Sequence, residues 1–297
     1  MLTANETEIK KGLNEGPFLF IVNPKSGTGA YLQFYRAIET IDIARHTIIE
    51  CKSQEHMISL ARNAKNQGYK ACIAVGGDGT VHGIASQLIE SDIALGIIPT
   101  GSGNGIARHF GISMKISQAL QQVLFSNIKK IDTIIVNDHR AIGFCGIGFD
   151  AYVAKLFDEY PGRGFRNYIQ LTLRSFQKYK PKPISINGVS TACFSLLVSN
   201  VNQLGNNAFI NPLTVDNDGY LEQIRIQPPL WADVPFMLTR LFNKTFQQSK
   251  YVSIEKIESI KVVNDEGHYL HIDGESCGTP KVINIRVNPL SLNVLTP

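Results

Sequence analysis

The stretch Ala71–His82 reads ACIAVGGDGTVH, and its reading turns on the abrupt change at its middle. Ala71 to Val75 is a short apolar run of the length expected for a fully buried strand, and it stops at Gly76 and Gly77. Paired glycines at that point let the backbone reach positive φ and leave no Cβ between main-chain N–H groups and an incoming anion, which suits a phosphate cradle. Asp78 lies inside the cradle. A carboxylate beside bound phosphates is repelled unless a divalent cation or a transferring proton lies between them, so Asp78 points to Mg²⁺ contact or hydroxyl activation. Thr80 is read as the cap of a helix whose apolar positions Val81, Ile84, Ala85, Leu88 and Ile89 recur at helical spacing, which places the cradle at a helix N-terminus. A plain glycine turn between strand and helix is the competing explanation.

The same unit recurs on both sides. Phe18–Val22 is a strand-like run that ends at Asn23-Pro24-Lys25-Ser26-Gly27-Thr28-Gly29, with helical spacing from Tyr31. Lys25 can meet a phosphate as a point charge, while Asn23, Ser26 and the glycine backbone supply hydrogen bonds. His46–Cys51 reads as a strand, and Glu55–Gly68 as a helix with Met57, Leu60, Ala61 and Ala64 on one face. Asp92–Ile98 is another buried strand, ending at Pro99-Thr100-Gly101-Ser102-Gly103-Asn104-Gly105 before a helix from Ile106. In a doubly wound parallel sheet the carboxyl ends of the strands share one edge, so three such loops can converge on one ligand, and a nucleotide fits that convergence.

The 297 residues leave room for two cores, and 43% hydrophobic with 18% charged residues is an ordinary globular balance. A net charge of +4 without a concentrated patch argues against a nucleic-acid partner and leaves an anionic membrane surface open. Cys51, Cys72, Cys145, Cys193 and Cys277 show no CxxC spacing, so neither a zinc site nor a disulfide framework is expected, and a reducing compartment fits. The histidines form no HxxxH pair and read as surface or core residues. Residues 1–16 read as a flexible tail without the apolar region of a signal peptide, and no run is long enough to span a bilayer. A cytoplasmic protein is expected, one that docks peripherally and reversibly at the inner membrane face if its substrate is a lipid.

From Ile131 the texture changes to short β-rich segments, IDTIIV, AIGFCGIGF, ACFSLLVSN, YLEQIRI, SIKVVN, HYLHIDGE and VINIRV, punctuated by glycine, proline and asparagine. The expected architecture is a nucleotide-binding α/β domain over 17–130 and a mostly antiparallel β-sandwich domain over 131–297. Two helical insertions, Phe165–Tyr179 with basic Arg163, Arg166, Arg174, Lys178 and Lys180, and Trp231–Phe242, read as covers for the sheet, with a lipid-facing lid as the alternative. Asp150, after the glycine-loosened Gly146-Ile147-Gly148, is a candidate contact for a substrate hydroxyl. Val215-Asp216-Asn217-Asp218-Gly219-Tyr220 reads from its residues alone as an Asx-type turn. Asp273-Gly274-Glu275 places two carboxylates within one turn, a base and a partner or a solvated hairpin.

NPKSG at Asn23–Gly27, GGDGT at Gly76–Thr80 and PTGSGNGIAR at Pro99–Arg108 resemble, in order and spacing, the diacylglycerol kinase catalytic domain family, which includes bacterial lipid kinases and the sphingosine and ceramide kinases. GGDGT is shared with NAD kinases and more remotely with phosphofructokinases. The resemblance covers about residues 17 to 290. It implies an ATP-dependent, Mg²⁺-using kinase acting on a lipid hydroxyl such as that of diacylglycerol or a sphingoid or ceramide-type lipid, with its active site between the domains. It carries ATP contacts onto Asn23, Pro24, Lys25, Ser26, Gly27, Gly76, Gly77, Asp78, Gly79, Thr80, Val81, His82, Ser102 and Asn104. Catalytic roles fall on Glu275, Asp273 and Asp78, with Glu275 the leading proton acceptor. A structural Mg²⁺ is implied at Asp218 with the main-chain carbonyls of Val215 and Tyr220. Two positions depart from the family pattern. Gly105 stands where bacterial diacylglycerol kinases carry an aspartate, so the GSGN loop is closer to the sphingosine and ceramide kinase branch, and Cys51 stands where relatives often have a phosphate-contacting threonine. An NAD kinase and a catalytically inactive nucleotide- or lipid-binding sensor are the rival expectations.

Overall fold

A computed structural model of the chain describes residues 16–27, 29–41, 45–160 and 164–297. The expected tail, apart from Gly16, lies outside these residues, as do Thr28 of the first loop and Arg163. The chain divides into two compact units, one of residues 1–131 with 291–297 and one of residues 132–290.

The first unit is α/β. In chain order it carries β1 (Phe18–Val22), α1 (Tyr31–Ile38), β2 (His46–Glu50), α2 (Gln54–Asn63), β3 (Ala71–Gly76), α3 (Asp78–Leu88), β4 (Ala94–Pro99), α4 (Gly105–His109) and α5 (Ile116–Leu124). The strands lie parallel in the order β2-β1-β3-β4. Every residue of β1, β3 and β4 is buried, as continuous apolar runs in a sheet covered on both faces must be. Helices supply those covers through single stripes: Met57 and Ala61 on α2, and Ile116, Ala119, Leu120, Val123 and Leu124 on α5. Asn293 and Val294, near the chain's end, pair in parallel with Ala94 and Leu95 of β4.

α3 begins three residues before the position expected from apolar spacing, at Asp78 with Gly77 as its N-cap. The GGDGT motif therefore runs from the last residue of β3, Gly76, through the N-cap Gly77 into the first turn of the helix, Asp78–Thr80. Thr80 is not a cap: it is buried inside that turn, where its Oγ1 accepts a hydrogen bond from Asn23 Nδ2 at 2.9 Å.

The second unit follows from β5 (Asn127–Val136), whose last residues belong to it. The remaining elements are β6 (His139–Ala141), β7 (Phe144–Gly148), α6 (Phe149–Glu159), α7 (Phe165–Phe176), β8 (Pro183–Ile186), β9 (Val189–Ala192), β10 (Ser195–Ser199), β11 (Leu221–Ile226), α8 (Val234–Phe242), β12 (Val252–Ile257), β13 (Ser259–Val263), β14 (Leu270–Ile272), β15 (Glu275–Ser276) and β16 (Val282–Thr296). One antiparallel sheet runs β12-β11-β10-β7-β14-β15. A second pairs β16 with β13, β13 with β8 and β8 with β9, and β5 with β6. Alternation writes the sandwich: Ile283, Ile285 and Val287 of β16 are buried while Val282, Asn284 and Arg286 are exposed. These inward residues join Ile260 and Val262 and meet Cys145, Ile147, Leu196, Val198 and Leu270 of the other sheet in one core.

α6 was not expected from the glycine-rich approach to it. Phe149, Val153 and Ala154 form its buried stripe, and Gly148 at φ +111° makes the sharp entry from β7. Phe149 stacks on Phe194 at 4.5 Å between ring centroids and meets Phe176 and Tyr179 edge-on, so an aromatic cluster seats α6 and α7.

Candidate active site

In the first unit, the loops after β1, β3 and β4 touch through glycine. A Cβ on Gly77 would lie 3.1 Å from Cα of Gly101 and 3.3 Å from Oγ of Ser26. One on Gly101 would lie 2.5 Å from Cα of Gly77, and one on Gly27, at φ +65°, would lie 2.1 Å from the Thr100 carbonyl oxygen. These contacts need the absence of side chains. Polar links complete the set: Lys25 N–H donates to Asn23 Oδ1 at 3.0 Å, Thr100 N–H donates to the Gly76 carbonyl at 2.9 Å, and Ile106 N–H donates to Asp78 Oδ1 at 3.2 Å. Asn104 holds a left-handed backbone, φ +50°, and folds its amide onto its own loop, donating to the Gly101 carbonyl at 2.8 Å and accepting from Gly101 N–H at 3.1 Å.

Lys25, Ser102 and Gly79 are exposed at this edge, Pro24 and His82 are half-buried, and Val81 is buried within α3. Cys51 is buried at the end of β2; burial pushes its thiol up, and the nearby Lys25 charge partly opposes that shift. The N-terminus of α3 and the glycine-lined loops present main-chain donors and a positive helix end, which is the arrangement that binds phosphate groups.

In the second unit the expected residues separate into different roles. Asp150, in the first turn of α6, takes Ser195 Oγ–H on Oδ1 and His271 Nε2 on Oδ2, the latter at 2.7 Å. Gly274 N–H donates to His271 Nδ1 at 3.4 Å, so Nδ1 is the acceptor and Nε2 carries the proton given to Asp150. His271 pairs with Gly146 across the β14–β7 ladder, and a Cβ there would stand 1.8 Å from Asp150 Oδ2 and 2.4 Å from His271 Nε2. Gly146 is thus space for a carboxylate–imidazole pair. Neither Ser195 nor His271 stood out in the sequence. The one signal was a histidine at an inward position of the β-run HYLHID.

Asp273 and Glu275 share a turn and little else. Asp273, buried and at φ +47°, accepts from Gly143 N–H at 2.9 Å and Phe144 N–H at 2.8 Å on Oδ1, and from Ile142 N–H at 2.9 Å on Oδ2. It ties the turn to the strand entering β7. Glu275 is exposed at the start of β15. Asp132, a carboxylate inside the apolar run IDTIIV, was also unmarked. Fully buried, it accepts from Gly219 N–H and Leu290 N–H, both at 2.7 Å, and so anchors the loop before β11.

That loop is the implied structural-metal site. Asp218 Oδ1 accepts from Tyr220 N–H at 3.1 Å, the Asx geometry, and Oδ2 pairs with the Lys256 ammonium. Val215 and Tyr220 are exposed. Nearby Glu222 is buried, its Oε2 has no partner among the described residues, and burial followed by the Asp218 charge pushes its carboxyl up to about 7. The named donors of the loop are all oxygen and Asp218 already pairs with a cation, a chemistry that fits a hard cation. Among the described residues no cluster of three or more His, Cys, Asp or Glu side chains is arranged to hold a metal, and no helix is long and apolar enough to cross a membrane.

Comparison with known proteins follows this division. Residues 17–136 match the diacylglycerol kinase catalytic domain, and residues 143–296 match the YegS C-terminal NAD kinase beta sandwich-like domain. A diacylglycerol kinase of Mycobacterium tuberculosis is 26% identical over 95% of this chain and 96% of its own length. A YegS-like lipid kinase of Enterobacter is 27% identical over 75% of this chain and 79% of its own. The chain spans 56% of the length of a similar Synechocystis protein, with 26% identity. The crystal structure of a diacylglycerol kinase from Bacillus anthracis superposes with a TM-score of 0.73 over 95% of this chain and 97% of the other, at 21% identity, which is a likeness of fold.

Proposed function

We propose, because the chain belongs to the family defined by the diacylglycerol kinase catalytic domain and the YegS C-terminal domain, that it transfers the γ-phosphate of ATP to a lipid hydroxyl. The family makes it a kinase, a phosphotransferase with an alcohol group as acceptor. In this reading residues 17–130 bind nucleotide and 131–297 bind the acceptor, and the observation that carries it is the mutual glycine packing of three strand-end loops in the first unit. Gly27 N–H and the main-chain N–H groups at the start of α3, with the side chains of Lys25 and Ser102, hold the triphosphate, while Asn104, its amide spent on Gly101, shapes the third loop. Asp78 faces the outer phosphates, where Mg²⁺, when bound, neutralises charge between them.

Glu275 accepts the proton of the lipid hydroxyl. What favours it over Asp273 is occupancy: three main-chain N–H groups already take the Asp273 oxygens, whereas Glu275 is exposed. Asp150, fixed by His271 and Ser195, has lone pairs left on both oxygens to receive the acceptor's hydroxyl. Catalysis is then mostly positioning and charge stabilisation. The acceptor class is a long-chain lipid alcohol, diacylglycerol as in the named relatives or, following the GSGN loop, a sphingoid or ceramide-type lipid.

The test is transfer of labelled γ-phosphate from Mg·ATP into mixed micelles holding diacylglycerol, sphingoid base or ceramide, with NAD in water as the control. Label in one lipid is expected, and Glu275→Gln should lower kcat by roughly 10²- to 10⁴-fold with ATP binding kept. Label in NAD alone, or in nothing despite bound ATP, would overturn the reading.

A further inference from the structure

We propose that Leu230–Phe242 and the end of α7 form a docking surface for an anionic membrane, a proposal that deepens the lipid kinase reading and rests on it for the membrane's relevance. Single exposed apolar residues are ordinary on any surface, but here they gather in one short segment: Leu230 is 66% exposed, Trp231 50%, Phe236 69% and Phe242 43%. Val234 and Met237 turn inward, whereas the outward positions Pro235, Phe236, Thr239 and Phe242 carry no charge. Trp231 packs against Phe176 at 5.4 Å between ring centroids, which joins the segment to the last turn of α7. Tryptophan beside leucine and phenylalanine is the composition of a bilayer interface.

Charge selects the occupant. Residues 170–182 contain Arg174, Lys178, Lys180 and Lys182 with no acid, and residues 227–251 contain Arg240, Lys244 and Lys250 against Asp233 alone. That local balance of plus six exceeds the +4 of the whole chain, so the remainder is net acidic. The single acid is neutralised at 3.1 Å by Lys250. Apolar side chains accompanied by lysine and arginine match anionic headgroups over an acyl boundary. A second copy of the chain would bring like charge against like in a two-fold interface, which disfavours self-association.

Trp231 is the chain's sole tryptophan, so its emission reports this surface directly. The full chain is mixed with vesicles of phosphatidylcholine, and of phosphatidylcholine with phosphatidylglycerol, both free of any acceptor lipid. A blue shift and co-sedimentation with the phosphatidylglycerol vesicles are expected, both weakened by salt. Phe236→Ser should weaken binding roughly tenfold or more, and Lys178→Glu with Lys180→Glu should do so independently while thermal unfolding stays unchanged. Emission that does not move and protein that stays in the supernatant overturn the proposal, as does a blue shift that tracks protein concentration without vesicles, the mark of a second copy. Docking without phosphorylation of any lipid would overturn the kinase reading and keep this one. Phosphorylation of a short-chain acceptor without docking would do the reverse.

Discussion

In the first unit the candidate phosphate loops are held by what their residues lack, while in the second the candidate acceptor groups are held by what theirs carry. Gly77, Gly101 and Gly27 bring three loops to backbone contact because no Cβ intervenes. Asp150, His271 and Ser195, and separately Asp273 with the amides of 142–144, are fixed by hydrogen bonds that bridge more than a hundred residues of sequence in several cases. The first device joins loops that lie closer in sequence and tolerates no added atoms. The second is long-range and tolerates no lost polar partner, since a buried donor left alone costs its full desolvation.

The largest effect should come from removing the strut of the second device. Asp273→Ala leaves three main-chain donors without their acceptor, two of them buried, and is expected to lower stability by about 3 kcal/mol or more, read as a fall in the urea midpoint. A small change there would mean that water replaces the carboxylate, and the contrast between the two devices would weaken. Gly101→Ala should come next. Its Cβ would stand 2.5 Å from Cα of Gly77, backbone that cannot rotate away, so the loops must separate and ATP affinity should fall at least tenfold by calorimetry, with the melting temperature little changed. Retained ATP affinity would show that the loops need not touch.

The smallest effect should follow His271→Ala. With Ser195 still on Asp150, the carboxylate keeps one tether, and KM for the acceptor should rise several-fold while ATP affinity is unchanged. His271→Gln, able to donate from a similar position, should recover part of it. An unchanged acceptor KM would separate Asp150 from acceptor binding.

Much of the first unit was legible because its signals are contiguous. Fully buried parallel strands must be unbroken apolar runs, and strand-end loops that approach an anion must be rich in glycine, so Phe18–Val22, Ala71–Gly76 and Ala94–Pro99 announce themselves. The start of α3 is hidden in the sequence because Asp78–Thr80 of the glycine motif are themselves helix, and apolar spacing begins only after them. The glycines before α6 carry the signal of a bend and mask the helix that follows.

The second unit hides more, and for one reason. Asp132, Asp273 and His271 are polar residues in apolar company, and a sequence shows such a residue without showing what satisfies it. Residue types and their spacing alone determined the alternation that makes the sandwich, the glycine-ended strands and the pair of carboxylates in Asp273-Gly274-Glu275. Only the tertiary structure decided that one of that pair is a buried strut and the other an exposed acid, because burial and hydrogen-bond partners come from strands distant in the chain.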